Sequence, residues 1–249
     1  MLIFAMITEK ERAMWLENVK TVFVDLDDTI WWTAENSKVA MRQLFAKAGL
    51  SRLCAYEDFY AIYMAKNDEL WTLYHHGEIS KDFLVSERFR YTLERVGQGG
   101  DLLAASLELN ELYLDLLGRQ RLLLPGAREL LEHLNGHYDV NVLSNGFKSV
   151  QRRKLESAGV AHLVHRLILS DDCGVTKPMR GIFDYALREC GCSADTTVMI
   201  GDNYDADIIG AHEAGWRTIF FNLRGVKLGR TVADFEVANL ADILWNQIL

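Results

Sequence analysis

The hydrophobic pattern of the chain changes period twice. Near the N-terminus a short, continuously apolar run, Val22-Phe-Val24, ends abruptly in Asp25-Leu-Asp27-Asp28-Thr29. A brief β-type run closed by polar residues predicts a buried strand over residues 20–25. From Thr33 to about Gly118 apolar residues recur at three and four, as in Leu102, Leu103, Leu107, Leu109, Leu112 and Leu116. That is helical spacing, and no strand pattern interrupts it. Past Leu122-Leu-Leu-Pro125-Gly126 the pattern becomes an alternation of strands and helices.

Four further strands are predicted in that last section, at 138–143, 163–169, 197–200 and 217–221. Helices are predicted at 127–134, 148–158, 182–190, 206–214 and 240–248. Pro125 precedes the first of these helices, and Gly159 and Gly215 stand where helix stops are wanted. Buried strands alternating with helices predict a doubly wound parallel α/β sheet. The expected core comprises residues 1–32 and 119–249. The all-helical block, residues 33–118, is then an insertion after the first strand, forming a separate cap domain.

The 249 residues suffice for such a core plus a smaller module, and 49% hydrophobic with 25% charged residues suits a globular chain. A net charge of −8 offers no basic footprint for a nucleic-acid polymer. It leaves room for a small phosphorylated metabolite. Cys190 and Cys192 do not form a CxxC pair, and the four cysteines read as reduced thiols. The apolar start, Met1–Met6, is too short for a signal peptide. No stretch approaches the roughly 20 apolar residues of a membrane span. These features predict a cytoplasmic protein without a membrane partner.

In an open parallel sheet, ligands bind at the carboxyl ends of the strands. The acidic cluster follows the first strand and Ser144-Asn145-Gly146 the second. Lys177-Pro178 follows the third across a short loop, and Gly201-Asp202-Asn203-Tyr204-Asp205-Ala206-Asp207 follows the fourth. Asp25 and Asp202 offer oxygen ligands to one hard cation, and so sparse a set suits Mg²⁺. Ser144 and the backbone N–H groups behind it can hold an anion, and Lys177 can balance its charge. Metal, lysine and helix terminus together describe a phosphoryl site.

With these residues in that order, the chain resembles the haloacid dehalogenase superfamily of hydrolases over nearly its whole length. The resemblance implies a Mg²⁺-dependent phosphomonoesterase. Asp25 would be the nucleophile that becomes an aspartyl-phosphate, and Asp27 the general acid and then base. The Asp27 backbone carbonyl, with the side chains of Asp25 and Asp202, would hold the metal. Asn203 and Asp207 would steady that metal shell. Ser144, Asn145 and Thr29 would serve the phosphate and its loop, and Lys177 would orient Asp25. Dehalogenases of the superfamily lack an acid at the position of Asp27, so the resemblance favours a phosphatase over a 2-haloacid dehalogenase. A non-catalytic binding module of the same fold would have lost Asp25 or Lys177, and neither is lost.

Within the superfamily, Asn67-Asp-Glu-Leu-Trp71, Tyr74, Gly77-Glu-Ile-Ser80, Arg88-Phe89, Leu143-Ser-Asn-Gly-Phe147 and Gly181-Ile-Phe-Asp-Tyr-Ala-Leu187 resemble helical-cap pyrimidine 5′-nucleotidases. A nucleoside 5′-monophosphate is the substrate this implies, with a sugar phosphate or phosphoglycolate as the alternatives. Trp31 and Trp32 read as packing residues at the hinge, Arg88 as a solvated or ion-paired helix arginine, and Arg152-Arg153-Lys154 as a solvated helix face.

Overall fold

The computed structural model describes residues 18–245 and 248–249. The chain divides into two compact units, one formed by residues up to Thr33 together with Arg121–Leu249, the other by Ala34–Gln120.

The first unit holds a six-stranded sheet. Its strands are β1 (Thr21–Val24), β2 (Asp139–Ser144), β3 (Arg166–Leu169), β4 (Thr197–Gly201), β5 (Arg217–Phe221) and β6 (Phe235–Val237). They lie in the order β3-β2-β1-β4-β5-β6, and every neighbouring pair is parallel. The chain steps outward from β1 to β3, then returns to place β4 on the other side of β1. The crevice of a doubly wound sheet opens where the order reverses, here between β1 and β4.

Both faces of the sheet are covered, which explains the unbroken apolar runs of its strands. On one face Phe23, Leu143, Ile168 and Met199 cluster with Ile182, Phe183 and Ala186 and with Trp216. Phe23 and Phe183 both contact the Trp216 ring, at centroid distances of 4.8 and 5.2 Å. On the other parity Val22, Val24, Val140 and Val142 are buried, as are Leu130, Leu131 and Leu134. Each such side chain contributes about 1.5–3 kcal/mol when removed from water. A Cβ added at Gly210 would stand 2.8 Å from both Phe183 Cε2 and Pro178 Cα. Overpacking there costs about 1–3 kcal/mol. Gly210→Ala is therefore expected to lower the thermal unfolding midpoint by about 5 °C, and an unchanged midpoint would contradict this packing.

The second unit is helical: α1 (Thr33–Lys47, beginning at the last residue of the sheet unit), α2 (Tyr56–His75), α3 (Lys81–Arg95) and α4 (Leu102–Gly118). Ser80 caps α3 by accepting from the Phe83 N–H at 3.2 Å, and Asp101 caps α4 through the N–H groups of Leu103 and Ala104. Its interior is aromatic, with Tyr63, Phe89 and Tyr113 in mutual contact at 4.6–5.8 Å. Arg88, expected to be solvated or ion-paired, is buried. It is 3% exposed, donates from Nε to Asn110 Oδ1 at 3.0 Å and lies 5.5 Å over the Tyr113 ring. No described helix is long and apolar enough to cross a membrane.

The sheet unit also carries α5 (Ala127–His137), α6 (Lys148–Ser157), α7 (Arg180–Cys190) and α8 (Ala241–Trp245). Several boundaries differ from expectation. The third strand begins at Arg166 because Ala161–Leu163 forms a 3₁₀ turn. The sixth strand was not anticipated: Phe235-Glu-Val237 is too short to show an alternation. In place of a helix from Ala206, a π-helical turn, Tyr204–Ile209, runs into the α-turn Gly210–Glu213. The final helix covers Ala241–Trp245, and residues 246–247 of the expected span lie outside the described residues.

Candidate active site

The acidic cluster begins one residue past β1, where the Asp25 N–H still donates to the Ile200 carbonyl at 2.9 Å. The chain then turns sharply, with the Ile30 and Trp31 N–H groups both bonded to the Leu26 carbonyl. Asp28 makes the turn possible by adopting φ +61°, a left-handed conformation that aspartate tolerates better than most residues. Its carboxylate accepts the Thr33 N–H at 2.9 Å and the Arg224 guanidinium at 3.1 Å. Asp28, which sequence reasoning left without a chemical role, is the residue that shapes the loop.

Lys177 lies at the centre of the cluster. Its ammonium donates to Asp25 Oδ1 and Asp207 Oδ1, both at 2.6 Å, and to the Leu143 carbonyl at 2.7 Å. All three donors are thereby satisfied. Carboxylate oxygens of Asp25, Asp202 and Asp207 all lie within 4.8 Å of one another. Three acids thus face one lysine, two of the acids and the lysine being buried. Burial lifts the Asp25 carboxyl to about 7; the Lys177 charge opposes that rise, while Asp207 and Asp27 add to it. Burial, followed by the charges of Asp25, Asp207 and Asp28, raises Asp202 well above the usual carboxylate range. Burial works against the Lys177 charge, but its two carboxylate partners outweigh it and raise its pKa. Excess negative charge and an all-oxygen donor set fit a hard divalent cation.

Asp27 lies in different surroundings. Its Oδ1 accepts from Lys154 Nζ at 2.5 Å and Thr33 Oγ1 at 3.1 Å, and its Oδ2 from Gln151 Nε2 at 2.7 Å. Burial alone would raise its pKa. The Lys154 charge and the three hydrogen bonds overcome that and lower it. Ser144 is 1% exposed and its Oγ accepts from the Gly146 N–H at 3.1 Å and Gln151 Nε2 at 2.7 Å. Its hydroxyl proton remains to donate to an incoming oxygen.

The structure brings Asp25, Asp27, Ser144, Lys177, Asp202 and Asp207 to one end of the sheet. Three other expected residues are differently engaged. Thr29, expected among the phosphate-binding residues, is fully buried; its hydroxyl accepts the Asp202 N–H at 3.0 Å and donates to Asp202 Oδ1 at 3.2 Å. Asn145 is likewise committed to protein, accepting the Lys177 N–H at 2.8 Å and donating to the Lys177 carbonyl at 3.0 Å. Its side chain positions the lysine loop. Asn203 is exposed; its side chain caps the π-turn through the Ala206 N–H, and its own N–H donates to Asp207 Oδ2.

Two residues of the site were missed. Arg152-Arg153-Lys154 reads as a solvated run, yet Lys154 is 4% exposed and Gln151 fully buried. The available signal was the stripe Val150, Gln151, Lys154, Leu155, in which two polar residues share the buried face of α6.

The family model of the haloacid dehalogenase-like hydrolases matches residues 19–215. The chain belongs to this family. Among relatives, the pyrimidine 5′-nucleotidase YjjG of Escherichia coli (strain K12) is 31% identical over 202 residues, 81% of this chain and 85% of YjjG. The pyrimidine 5′-nucleotidase PynA of Streptococcus pneumoniae (strain ATCC BAA-255 / R6) is 31% identical over 229 residues, 90% and 93% of the two chains. The crystal structure of the HAD-hydrolase YfnB from Bacillus subtilis, bound to magnesium, matches with a TM-score of 0.81 at 27% identity. The match covers 93% of this chain and 99% of that one. The sheet with a helical insertion is the haloacid dehalogenase-like fold.

Proposed function

We propose that this hydrolase cleaves phosphate monoesters through a covalent intermediate on Asp25, and that its substrates are nucleoside 5′-monophosphates. The observation that carries the chemistry is the division of labour between two acids, one buried and one partly exposed, at one strand end. Asp25 sits against Lys177 among other carboxylates, and Asp27 sits apart against Lys154.

Asp25, Asp202 and the Asp27 backbone carbonyl would hold Mg²⁺, with Asp207 beside them. Bound there, the ion would screen the carboxylates and the phosphoryl oxygens from one another. An Asp25 oxygen attacks phosphorus, and the bond to the leaving oxygen breaks with its electron pair. Asp27 is held ionised by Lys154 before substrate arrives; the charge of the bound phosphoryl group would raise its proton affinity, so that it takes up the proton this oxygen needs and passes it on, then takes one from the water that hydrolyses the acyl phosphate. Ser144 donates to a phosphoryl oxygen. Lys177 holds Asp25 in line for attack and offsets the charge gathered around it. The nucleotide assignment is supported by the two nucleotidase relatives near 31% identity.

Phosphate release from a panel of nucleoside 5′-monophosphates, sugar phosphates and phosphoglycolate tests both levels of the reading. Mg²⁺-dependent release, abolished by excess chelator and fastest on a pyrimidine nucleotide, is expected. A sugar phosphate optimum would overturn the nucleotide assignment. No release from any ester, or halide release from a 2-haloacid without Mg²⁺, would overturn the phosphatase itself.

A further inference from the structure

Helix α6 turns a glutamine and a lysine inward at the edge of the site. Lysine is almost never fully buried unless paired, and Lys154 has two partners besides solvent. Its ammonium is 2.5 Å from Asp27 Oδ1 and 4.4 Å from the centre of the Trp31 ring, which is itself fully buried. A cation over an indole face in a dry setting is held strongly. One turn back, Gln151 Nε2 donates at 2.7 Å both to Asp27 Oδ2 and to Ser144 Oγ. The glutamine must present its NH₂ group here, because an amide oxygen would repel the carboxylate. A Cβ at Gly146 would fall 2.1 Å from Gln151 Nε2, so the bare glycine is what lets the amide reach between the two groups. With Thr33 Oγ1 at 3.1 Å completing the shell, both Asp27 oxygens are fixed from different directions.

We propose that Lys154 and Gln151 are positioning residues: together they set the orientation of the Asp27 carboxylate and couple it to Ser144. The group that moves the leaving-group proton is thereby held in register with the hydroxyl that meets the phosphoryl oxygens. The inference rests on the phosphatase reading for its chemical consequence and on the α6 contacts for its structural one. Each part has its own test.

Protonation matters most for a poor leaving group such as an alkoxide, and least for p-nitrophenolate, which departs without help. Misplaced Asp27 therefore harms alkyl esters selectively. In Lys154→Met, kcat/KM, which reports leaving-group departure and not the later hydrolysis common to both esters, is expected to fall about 10- to 100-fold further on an alkyl phosphate such as glycerol 2-phosphate than on p-nitrophenyl phosphate. Gln151→Leu, a neutral replacement of similar size, should show the same selectivity and covers the case in which the lysine variant fails to fold. An equal loss on both esters, or no loss, would overturn the proposal. Crystal structures of wild type and variant give a readout that needs no turnover. An Asp27 carboxylate displaced from its wild-type orientation supports the clamp. One that has not moved overturns it, even if the protein cleaves no ester and the phosphatase reading has failed on its own terms.

Discussion

Replacing Asp25 with asparagine is expected to reduce phosphate release by about 10⁴-fold or more. The amide keeps the shape of the side chain but cannot attack phosphorus, and the remaining acids cannot take over. Asp202 and Asp207 both belong to the segment after β4, and Asp27 is turned toward α6 by Lys154 and Gln151. The same change is expected to leave the thermal midpoint unchanged or raised in chelator. Burial already holds the Asp25 carboxyl near 7, so an ionised group there opposes folding, and a neutral one removes that cost. Phosphate assays paired with melting curves check both halves. Full activity in Asp25→Asn would sink the covalent route. Lost activity with a collapsed midpoint would mean that the fold, not the nucleophile, had been removed.

The second large effect is expected at Lys177. Lys177→Met keeps most of the buried stem but leaves Asp25 and Asp207 without their shared cation. Breaking a buried pair in this way costs about 3–5 kcal/mol when the abandoned charge persists. The abandoned acids can instead take up protons, so the cost depends on pH. The sign follows from Asp25, whose pKa in the fold is about 7 against an unperturbed 3.8. Removing Lys177 takes away an influence that lowers that value and pushes it higher still. A raised acid contributes stability that is fully present below its unfolded pKa and is lost as pH rises through its folded pKa. Urea unfolding in chelator should accordingly show a modest deficit for Lys177→Met near pH 5 that widens toward pH 8. A deficit independent of pH would mean that Lys177 acts by packing alone. Activity should be lost at every pH, because the variant can neither hold Asp25 nor offset the charge on the phosphoryl group.

The parts of the site that could be named from sequence share one property: each follows a strand. In a parallel sheet all strand ends of one sense meet at one edge, so the chain alone brings Asp25, Ser144, Lys177 and Asp202 together. Lys154 and Gln151 enter from a helix face, and a charge run around Lys154 hides the fact that it points inward. Asp207 was expected to support the metal shell, yet it also bonds Lys177 directly. That placement depends on the π-turn Tyr204–Ile209, whose wider winding has no signature in an apolar period of three and four. Thr29 and Asn145 show a different limit. Sequence places them beside the phosphate site, but only coordinates reveal that Asp202 and the Lys177 backbone already occupy their polar atoms. The sixth strand escaped notice because three residues carry too little pattern to separate from a loop.

The sheet order bears on how this chain is made. β1 is the strand that ends in Asp25, the proposed nucleophile, and its neighbours are β2 and β4. Neither has been synthesised when β1 leaves the ribosome, because the whole helical unit comes first. At about 5–20 residues per second, β1 waits on the order of ten seconds for β2, and longer for β4. During that time an apolar strand and its acidic loop have no sheet to join. The helical unit, with its own buried aromatic interior, can fold in the interval. For this architecture, the segment that carries Asp25 emerges well before either of the strands it must lie between.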